Sequence, residues 1–496
     1  MKLYTPITGK YNFVMAYPAI EEFALSSLGY LWLYKIADTK EGINAISIST
    51  DNINIGIKNI DSMAFSMSFD FDYIGVLKIL DKLNIPFYAK DRDENSPLIF
   101  AGGPVLTTNP RPYEDFFDFI VIGDGEEIFD KILDILKLKL SKSETIKKIS
   151  KLDGIYIKGE RVKKSPVSLN NVIYTPILSG KSYFKDTFII EIARGCMNRC
   201  AFCTASYVNL PFRYYEYEKI VNALELGLKY TNKIALLGAQ ISAHPNFNDI
   251  MQYLRDKIEA GKNIELGISS LRTDAITPCV IKTLVLGGQK HSTIAIEAAS
   301  ERLRKIINKN LKEEQILNAI RISRENGLKG LKIYSMIGIP TETYDDIEEF
   351  IKLAHRIKKE NSGFNIEFSF STFVPKPQTP FQWVKREDTK SLEKKQKYLE
   401  KELAKIGIYS KFSSPKWDFW QTVLSRSDEK IAPMLVEVYK QGGKIGAYKK
   451  AVKSLNIDIT KSIDGFSPDE NLYWDCIESY LLKQQLINEY NRLLFK

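Results

Sequence analysis

The chain has 496 residues, of which 44% are hydrophobic and 11% aromatic, and its formal net charge is +9. This length predicts two or three domains, and the apolar and aromatic content excludes global disorder. The sequence contains no apolar run of the roughly 18 residues that a membrane span needs, and its first residues lack a secretory leader. We therefore expect a cytoplasmic protein without a membrane span.

The positive charge is spread over helical stretches in which acidic residues alternate with basic ones, as in residues 394–405. Such interleaving is typical of solvated helix faces, so we expect no nucleic-acid partner. Of the five cysteines, three fall within residues 196–203, whereas Cys279 and Cys476 are isolated. Cysteines spaced this closely predict a metal or cluster site in a reducing compartment rather than a disulfide framework.

Residues 1–150 alternate short apolar runs with helical patterns, which predicts a Rossmann-like α/β domain with a parallel sheet. The predicted strands are Tyr11–Ala16, Asn44–Ser49, Ser62–Ser68, Leu98–Ala101 and Phe119–Ile122, and the predicted helices include Tyr73–Leu83 and Glu126–Leu138. Glycine-rich turns follow two of the strands, at residues 101–104 and 123–127. Each alone fits a plain loop, but two at one sheet edge predict a ligand crevice, because glycine lets a ligand approach the backbone closely.

A second alternation of strands and helices follows a connector at residues 151–180, in which 171–178 has strand character. The predicted strands of residues 181–384 are Thr187–Ile192, Lys233–Leu237, Ile264–Ser269, Ser292–Ile296, Gly330–Ile337 and Asn365–Phe373, and helices include Tyr217–Lys229, Glu313–Glu325 and Tyr344–Lys358. Six strands alternating with helices predict a partial (β/α)6 barrel with functional residues at the carboxyl ends of its strands. Residues 385–496 are predicted to form a helical carboxy-terminal domain.

The three clustered cysteines, Cys196, Cys200 and Cys203, form a C-x3-C-x2-C motif just after the first barrel strand. Three thiolates on one loop can bind three irons of a 4Fe–4S cluster and leave the fourth iron open. The open iron can bind the amino and carboxylate groups of S-adenosylmethionine (SAM). A zinc site is the alternative, but zinc usually takes four ligands, and the sequence has no second cysteine pair.

This motif, with Phe202 before its last cysteine, resembles the radical SAM superfamily. Three segments at residues 60–130 (FSMSFDFDYIGVLKILDKLNIPFYAKDRD, PLIFAGGPVLTTNPRP, DFIVIGDGEE) look like the amino-terminal domain of its cobalamin-binding members. Segments of residues 187–384 (EIARGCMNRCAFC, LGAQISAHP, IAIEAASERLRKIINKNL, KIYSMIGIPTET) are similar to their catalytic domain, and the tail also fits the group. The resemblance covers nearly the whole chain.

The resemblance implies two groups of binding residues. Those for SAM are Phe202, Gly238, Ala239, Gln240, Ser269, Ser270, Arg272, Glu297, Ser300, Arg304, Ile339 and Pro340. Those for cobalamin are Ser66, Ser68, Gly102, Gly103, Gly123, Gly125 and Glu126. Gln240 stands where the superfamily often has a glutamate. Residues 1–150 contain no histidine, which excludes an imidazole ligand to cobalt from this domain; a vestigial domain without cobalamin is the alternative.

The resemblance further implies a cobalamin-dependent methyltransferase that acts on an unactivated carbon through a 5′-deoxyadenosyl radical. The substrate could be a protein residue, an antibiotic precursor or a lipid; the Ile- and Lys-rich composition suggests an archaeal source, and related archaeal enzymes point to a Gln or Arg of methyl-coenzyme M reductase. Ring or carbon–carbon bond formation without methyl transfer is the second hypothesis, and a non-catalytic iron–sulfur or RNA-binding protein the third. The implied reductant is a protein such as ferredoxin or flavodoxin.

The carboxy-terminal aromatic residues Trp417, Trp420, Tyr473 and Trp474 admit two interpretations. They can fill the core of a helical cap, as aromatic residues usually do. They can instead border the open side of the barrel and seat the substrate together with Arg426, because aromatic residues and arginine are frequent anchors where a partner docks.

Overall fold

The computed structural model describes residues 1–56, 60–164 and 168–495. The amino-terminal strands are β1 (Tyr11–Tyr17), β2 (Ile43–Ser49), β3 (Ser62–Ser66), β4 (Leu98–Gly102), β5 (Phe119–Val121) and β6 (Ile155–Tyr156). The helices of this part are α1 (Glu21–Ala24), α2 (Leu28–Asp38), α3 (Tyr73–Lys82), α4 (Pro104–Thr108), α5 (Glu126–Leu136) and α6 (Lys142–Ile149). All five strands predicted for residues 1–150 are present, with ends shifted by at most two residues.

The amino-terminal sheet has the strand order β2-β1-β3-β4-β5-β6, and all its pairings are parallel except that of β5 with β6. Its strands read as unbroken apolar runs because both faces are covered. In β3, Met63 and Phe65 pack into the core on one face, whereas Ala64 packs into the core on the other. In such a doubly wound sheet, ligands bind outside the carboxyl ends of the strands.

The remaining strands are β7 (Val162–Lys163), β8 (Phe188–Glu191), β9 (Ala193–Arg194), β10 (Arg213–Tyr214), β11 (Lys233–Leu237), β12 (Glu265–Ile268), β13 (His291–Glu297), β14 (Gly330–Ile337), β15 (Asn365–Thr372), β16 (Tyr409–Phe412) and β17 (Ile477–Glu478). The six predicted barrel strands correspond to β8 and β11–β15. They form two parallel sheets, β12-β11-β8 and β13-β14-β15-β16, joined by a parallel bridge between Leu271 and Ile294. The partial barrel is thus confirmed, and β16 adds a strand that the sequence did not predict.

The remaining helices are α7 (Tyr217–Gly227), α8 (Phe247–Glu259), α9 (Pro278–Leu286), α10 (Glu301–Ile306), α11 (Glu313–Glu325), α12 (Tyr344–Glu360), α13 (Thr389–Lys405), α14 (Pro415–Arg426), α15 (Ala432–Lys440), α16 (Ile445–Ser454), α17 (Thr460–Asp464) and α18 (Lys483–Leu494). The helical carboxy-terminal region is therefore present. Trp420 and Leu435 of this region share one buried core with Leu77 of the amino-terminal part. The helices α14–α16 thus pack against the amino-terminal sheet and its helix α3, and share their core.

The connector at residues 151–180 contributes one short strand to each of two sheets. Its first strand, β6, closes the amino-terminal sheet, and β7 pairs in parallel with β17 near the carboxyl terminus. The strand character predicted for residues 171–178 is present in part. Tyr174 bridges Ile190 of β8, with backbone hydrogen bonds on either side, and Ile177 bridges Lys2, but these bridges do not join into one strand. Within the described residues, no helix is long and apolar enough to cross a membrane.

Candidate functional site

The cysteine loop, residues 195–212, lies between β9 and β10, which pair antiparallel beyond the end of barrel strand β8. Gly195 begins the loop with a φ of 83°, and a Cβ there would lie 2.5 Å from the carbonyl oxygen of Asn209. Both the left-handed backbone and this close approach require glycine. The loop is anchored to the barrel because the amide of Ala201 donates to the carbonyl of Ile307 at 2.9 Å.

The three cysteine thiols lie on this loop in a largely buried position. Cys196 and Cys200 are buried, and Cys203 is half-buried. Burial raises the pKa of the Cys200 thiol to about 12, against the opposite effect of nearby Lys309, and Cys203 and Cys196 add to the rise. Burial also raises the pKa of Cys203, whose sulfur receives hydrogen bonds from the backbone of Ser206 and Ala205. The raised pKa values favour the protonated thiols at neutral pH, and iron binding would release these protons.

The donor set fits an iron–sulfur cluster better than a single metal ion. In residues 1–56, 60–164 and 168–495, no three His, Cys, Asp or Glu side chains are grouped as ligands of one ion. In a cluster, each thiolate binds a different iron, so the thiolates lie further apart than the ligands of one zinc ion. The other two thiols lie elsewhere: Cys279 contacts Gln252, and Cys476 contacts the carbonyl of Tyr473.

Gln240, at the end of β11, lies beside the cysteine loop. The thiol of Cys196 donates to its side-chain oxygen at 3.2 Å, and Asn198 contacts the same sulfur at 3.3 Å. Gly238 packs tightly beneath, since a Cβ there would be 2.7 Å from the carbonyl oxygen of Ala193. The predicted Gly238–Gln240 segment therefore lies at the thiols, with Ala239 exposed.

Arg272 and Glu297 also face the thiols from neighbouring strand ends. Burial works to lower the pKa of Arg272, but Asp274 and the thiols of Cys200 and Cys196 raise it, and the rise prevails. Glu297 has a φ of 65° and forms an ion pair with Lys309 at 2.9 Å. Lys309 was not predicted from the sequence, because it follows α10 rather than a barrel strand.

Ser300 and Arg304, also assigned to SAM from the resemblance, have structural contacts. Ser300 caps α10 and donates to Asp346 at 2.6 Å. Arg304 is 1% exposed and donates to the carbonyls of Leu311 and Ala298 at 2.6 and 3.0 Å. These bonds use Nε and Nη1 of Arg304, whereas its buried Nη2 has no hydrogen-bond partner among the described residues. The assignment of Ser300 and Arg304 to SAM therefore stays a prediction.

The remaining predicted SAM residues surround the same strand ends. Ser269 and Ser270 are exposed after β12. Phe202 packs against the apolar cluster that contains Ile339. Ile339 is buried and Pro340 half-buried, and both follow Gly338, which has a φ of 78°. These positions are consistent with the predicted rim, but their contacts alone identify no ligand.

A cavity of about 370 Å³ opens at the carboxyl ends of β3, β4 and β5. Its lining includes all seven residues predicted for cobalamin, namely Ser66, Ser68, Gly102, Gly103, Gly123, Gly125 and Glu126. Gly103 has a φ of 127°, and a Cβ there would lie 2.2 Å from the carbonyl oxygen of Met67. The structure therefore brings the two glycine turns together in one cavity, which we call the edge cavity.

The edge cavity also has walls that the sequence did not predict. Ser27, Gly29 and Tyr30 of the α2 region line one side, where only the fold reveals their proximity to the glycine turns. The opposite wall comes from the barrel and includes Glu191 and Arg194. Since Arg194 lies two residues before Cys196, the edge cavity adjoins the cysteine loop.

A second, larger cavity of about 860 Å³ adjoins the first. Its lining combines the connector, the segment after β15 and the carboxy-terminal segment, with Leu210, Gln378, Trp474 and Tyr480 among its residues. Lys164 lines both cavities and marks their shared wall. We call this second space the tail cavity.

The carboxy-terminal aromatic residues differ in their surroundings. Trp420 and Trp474 are buried, and the indole of Trp474 donates to Gln382 at 2.6 Å. Arg426 is fully buried and donates to the carbonyls of Val384 and Ser462 at 2.8 and 2.9 Å. Trp417 is 36% exposed and Tyr473 is half-buried. Core packing therefore accounts for Trp420, Trp474 and Arg426, although Trp474 also borders the tail cavity.

Two family descriptions match the chain. "Radical SAM proteins, N-terminal" matches residues 36–158, and "Radical SAM superfamily" matches residues 190–354. An uncharacterized protein of Methanocaldococcus jannaschii is 32% identical over 399 residues, which cover 79% of this chain and 84% of that protein. An uncharacterized methyltransferase of Pyrococcus horikoshii is 27% identical over 343 residues, which cover 62% of this chain and 72% of that protein.

Solved structures share the fold at low identity. The radical SAM methyltransferase TsrM of Kitasatospora setae, with cobalamin and a 4Fe–4S cluster bound, has a TM-score of 0.56 at 11% identity and covers 90% of this chain and 100% of that chain. The cobalamin-dependent SAM radical enzyme OxsB, with aqua-cobalamin and SAM bound, has a TM-score of 0.58 at 15% identity and covers 99% of this chain and 79% of that chain. The three cofactors expected from the sequence, a 4Fe–4S cluster, SAM and cobalamin, are those bound in these two structures.

Proposed function

This chain belongs to the radical SAM superfamily, and from that premise we propose that it is a cobalamin-dependent enzyme that methylates an unactivated carbon. The observation that carries the proposal is the contact between the edge cavity and the cysteine loop. Arg194 lines the cavity and lies two residues before Cys196, so a ligand in the cavity borders the site of the cluster.

The cysteine loop supports the iron–sulfur part of the proposal. Cys196, Cys200 and Cys203 would bind three irons, since soft thiolates suit such clusters. Gln240 and Arg272 lie beside these thiols, where they would contact the SAM bound at the open iron. A guanidinium is suited to a carboxylate, and a carboxamide oxygen can accept a hydrogen bond from an amino group.

The edge cavity supports the cobalamin part. Its glycine turns let a large ligand approach the backbone, and its aromatic residues, Tyr30, Phe100 and Phe129, supply an apolar wall. The fold is shared with TsrM and OxsB, whose solved structures contain cobalamin. These observations favour a functional cobalamin-binding domain over a vestigial one.

When bound, the cluster and SAM supply a substrate-activating radical, and cobalamin supplies the methyl group. The chain's own residues position these groups and exclude water. Arg194 holds the glycine turn at Gly125 against the loop that bears Cys196, which fixes the spacing between the two cofactor sites. The buried surroundings of the thiols limit access of solvent to the cluster.

The proposed substrate site is the tail cavity, because it opens beside Leu210 of the cysteine loop and shares a wall with the edge cavity. Its mixed apolar and polar lining suits a peptide side chain or a small molecule. A Gln or Arg residue of methyl-coenzyme M reductase is the protein substrate that we put forward for testing. A small protein reductant such as ferredoxin or flavodoxin completes the proposed system.

The test is anaerobic reconstitution with iron, sulfide and cobalamin, followed by mass spectrometry of the products from SAM. Methyl transfer predicts S-adenosylhomocysteine together with 5′-deoxyadenosine. In Cys200→Ala, 5′-deoxyadenosine should disappear and S-adenosylhomocysteine should not exceed about one equivalent per cobalamin, because the methyl group is not passed on. Protein reconstituted with the cluster but without cobalamin is the matched control. Full activity of that control would refute the methyl-transfer proposal.

Radical chemistry without methyl transfer is the second candidate. A relative that favours it is the anaerobic magnesium-protoporphyrin IX monomethyl ester cyclase of Rubrivivax gelatinosus, 24% identical over 34% of this chain. 5′-Deoxyadenosine without S-adenosylhomocysteine would support this candidate. Methylthiotransferases are also among the relatives. Methylthiolation is disfavoured because only two of the five cysteines lie outside the loop, too few for a second cluster trio.

A further inference from the structure

The edge cavity contains a buried lysine whose charge has no close partner in the described part of the chain. Lys164 is 8% exposed, and its backbone amide donates to the carbonyl of Glu478 at 3.0 Å. Its ammonium group forms no hydrogen bond or ion pair with a described residue, and the charges that act on it are those of Asp124 and Arg213. Burial lowers the pKa of Lys164 to about 8, although Asp124 acts in the opposite direction.

The other charged side chains of the cavity are already paired with one another. Arg194 forms ion pairs with Asp124, Glu126 and Glu191 at 3.0, 2.6 and 2.8 Å. Asp124 also pairs with Arg213 at 2.6 Å. The lining therefore offers a ligand one cation, Lys164, that does not have to break an ion pair within the described residues.

The β7–β17 ladder determines which way this lysine faces. Val162 of β7 pairs with Ile477 of β17, and Lys163 pairs with Glu478. Exposure alternates along the segment, with Val162 buried, Lys163 exposed and Lys164 buried, as expected where successive side chains point to opposite sides. Lys164 consequently reaches the wall between the two cavities, while the exposed side chain of Lys163 borders the tail cavity and does not line the edge cavity.

Resting on the proposed cobalamin binding, we propose that Lys164 binds the phosphodiester of the cobalamin nucleotide loop. This phosphodiester is the acidic group of a ligand whose other peripheral groups are neutral amides. An anion enclosed in a cavity needs a compensating charge, because burial of an unpaired ion is strongly unfavourable. The same argument applies to Lys164, so each charge would compensate for the burial of the other.

The test compares two corrinoids and three substitutions by equilibrium titration with absorbance detection. Cobinamide lacks the nucleotide loop and its phosphate, whereas aquocobalamin carries both. Lys164→Met should weaken aquocobalamin binding about 10-fold or more, the usual contribution of a hydrogen bond to a charged group. Its affinity for cobinamide should stay within about twofold of the wild type. Lys164→Arg should restore most of the aquocobalamin affinity, and Lys163→Met should leave the affinities for both corrinoids unchanged.

The possible failures separate the two proposals. Wild-type protein that binds neither corrinoid would overturn both cobalamin binding and this inference. Lys164→Met protein that binds aquocobalamin as tightly as the wild type, or that loses affinity equally for both corrinoids, would overturn this inference alone. Retained cobinamide binding by Lys164→Met would also show that the variant is folded.

Discussion

Arg194 and Glu126 connect the two candidate cofactor sites, since two guanidinium nitrogens of Arg194 lie 2.6 and 3.3 Å from the two carboxylate oxygens of Glu126. Glu126 begins α5 just after the glycine turn of the amino-terminal sheet, whereas Arg194 ends β9 just before the cysteine loop. A bidentate contact of this kind fixes orientation as well as distance. The relative position of the sites is therefore set by a side-chain contact between distant parts of the chain.

Replacing Arg194 should test this connection. Arg194→Gln leaves the half-buried carboxylates of Glu126 and Glu191 without their shared cation, while Asp124 keeps Arg213. The cost should be below the about 3–5 kcal/mol of breaking a fully buried pair. We expect a lower melting temperature and weaker cobalamin retention, with the cluster absorbance still present after reconstitution. Arg255→Gln is the control, because Arg255 forms a surface pair with Glu259. Equal melting temperatures for the two variants would contradict the connection.

The buried charge of Lys164 should lower the free energy of unfolding of the apoprotein at neutral pH, relative to the same protein with a neutral side chain at this position. The folded-state pKa is about 8, below the ordinary 10.5, so the folded lysine carries its burial penalty fully below pH 8. The penalty shrinks as the pH rises from 8 and is absent above 10.5, where the unfolded side chain is also neutral. Lys164→Met should therefore stabilise the apoprotein at pH 7, on the order of 1–3 kcal/mol, and progressively less above pH 8.

Denaturant unfolding of the apoprotein at several pH values measures this effect. Lys163→Met is the matched control, since Lys163 is the exposed last residue of β7 and directly precedes Lys164. The difference in unfolding free energy between Lys164→Met and the wild type should shrink between pH 7 and 10. A constant difference would show that burial of the charged lysine does not destabilise the folded protein.

The cysteine loop makes a prediction that separates its thiols from the other two. Replacing Cys196, Cys200 or Cys203 by Ala should remove the iron–sulfur absorbance and all reductive cleavage of SAM. Cys279→Ala and Cys476→Ala should leave both intact, because these thiols contact Gln252 and the carbonyl of Tyr473 away from the loop. Loss of the cluster in Cys279→Ala would refute the assignment of an open iron.

Gly125 permits a direct test of the edge cavity. A Cβ at this position would meet nothing closer than Leu33 at 3.5 Å, and its φ of −89° suits any residue. Gly125→Leu should therefore fold normally and reduce cobalamin retention by filling the cavity. Gly446→Leu is the control, since a Cβ there meets nothing within 4 Å on the exposed side of α16. Gel filtration after reconstitution gives the ratio of cobalamin to protein, and unchanged retention by Gly125→Leu would argue against this site.

The carboxy-terminal region should be required for solubility. Truncation before Thr389 would remove Trp420 and Leu435, which share a core with Leu77 of the amino-terminal part. We expect the truncated chain to be insoluble. Leu435→Ala in the full chain should lower the free energy of unfolding by about 2–5 kcal/mol. A soluble truncated protein with normal product formation would contradict both the core role and the seating of substrate by this region.

Much of the fold follows from local patterns in the sequence. The barrel strands β11 and β14 begin and end at the predicted residues, because their apolar runs are bounded by polar residues and glycine. β16 escaped prediction since its four residues are half-buried or exposed and lack an apolar run. Residues 171–178 have the apolar run that β16 lacks, but these side chains pack against the barrel and the backbone forms only short bridges instead of a continuous strand.

In the candidate site, too, some residues follow from the sequence and others only from the structure. By itself, the sequence predicted the three cluster cysteines and located both glycine turns, because these groups lie within short segments whose spacing carries the chemistry. Only the tertiary structure decided that Arg194 binds Glu126, that Arg304 is occupied by backbone carbonyls, and that Lys164 lies between two cavities. These relationships join residues far apart in the chain, and packing of the two sheets against each other determines them. Residue spacing does not encode such contacts, since they depend on where each element lies once the core is formed.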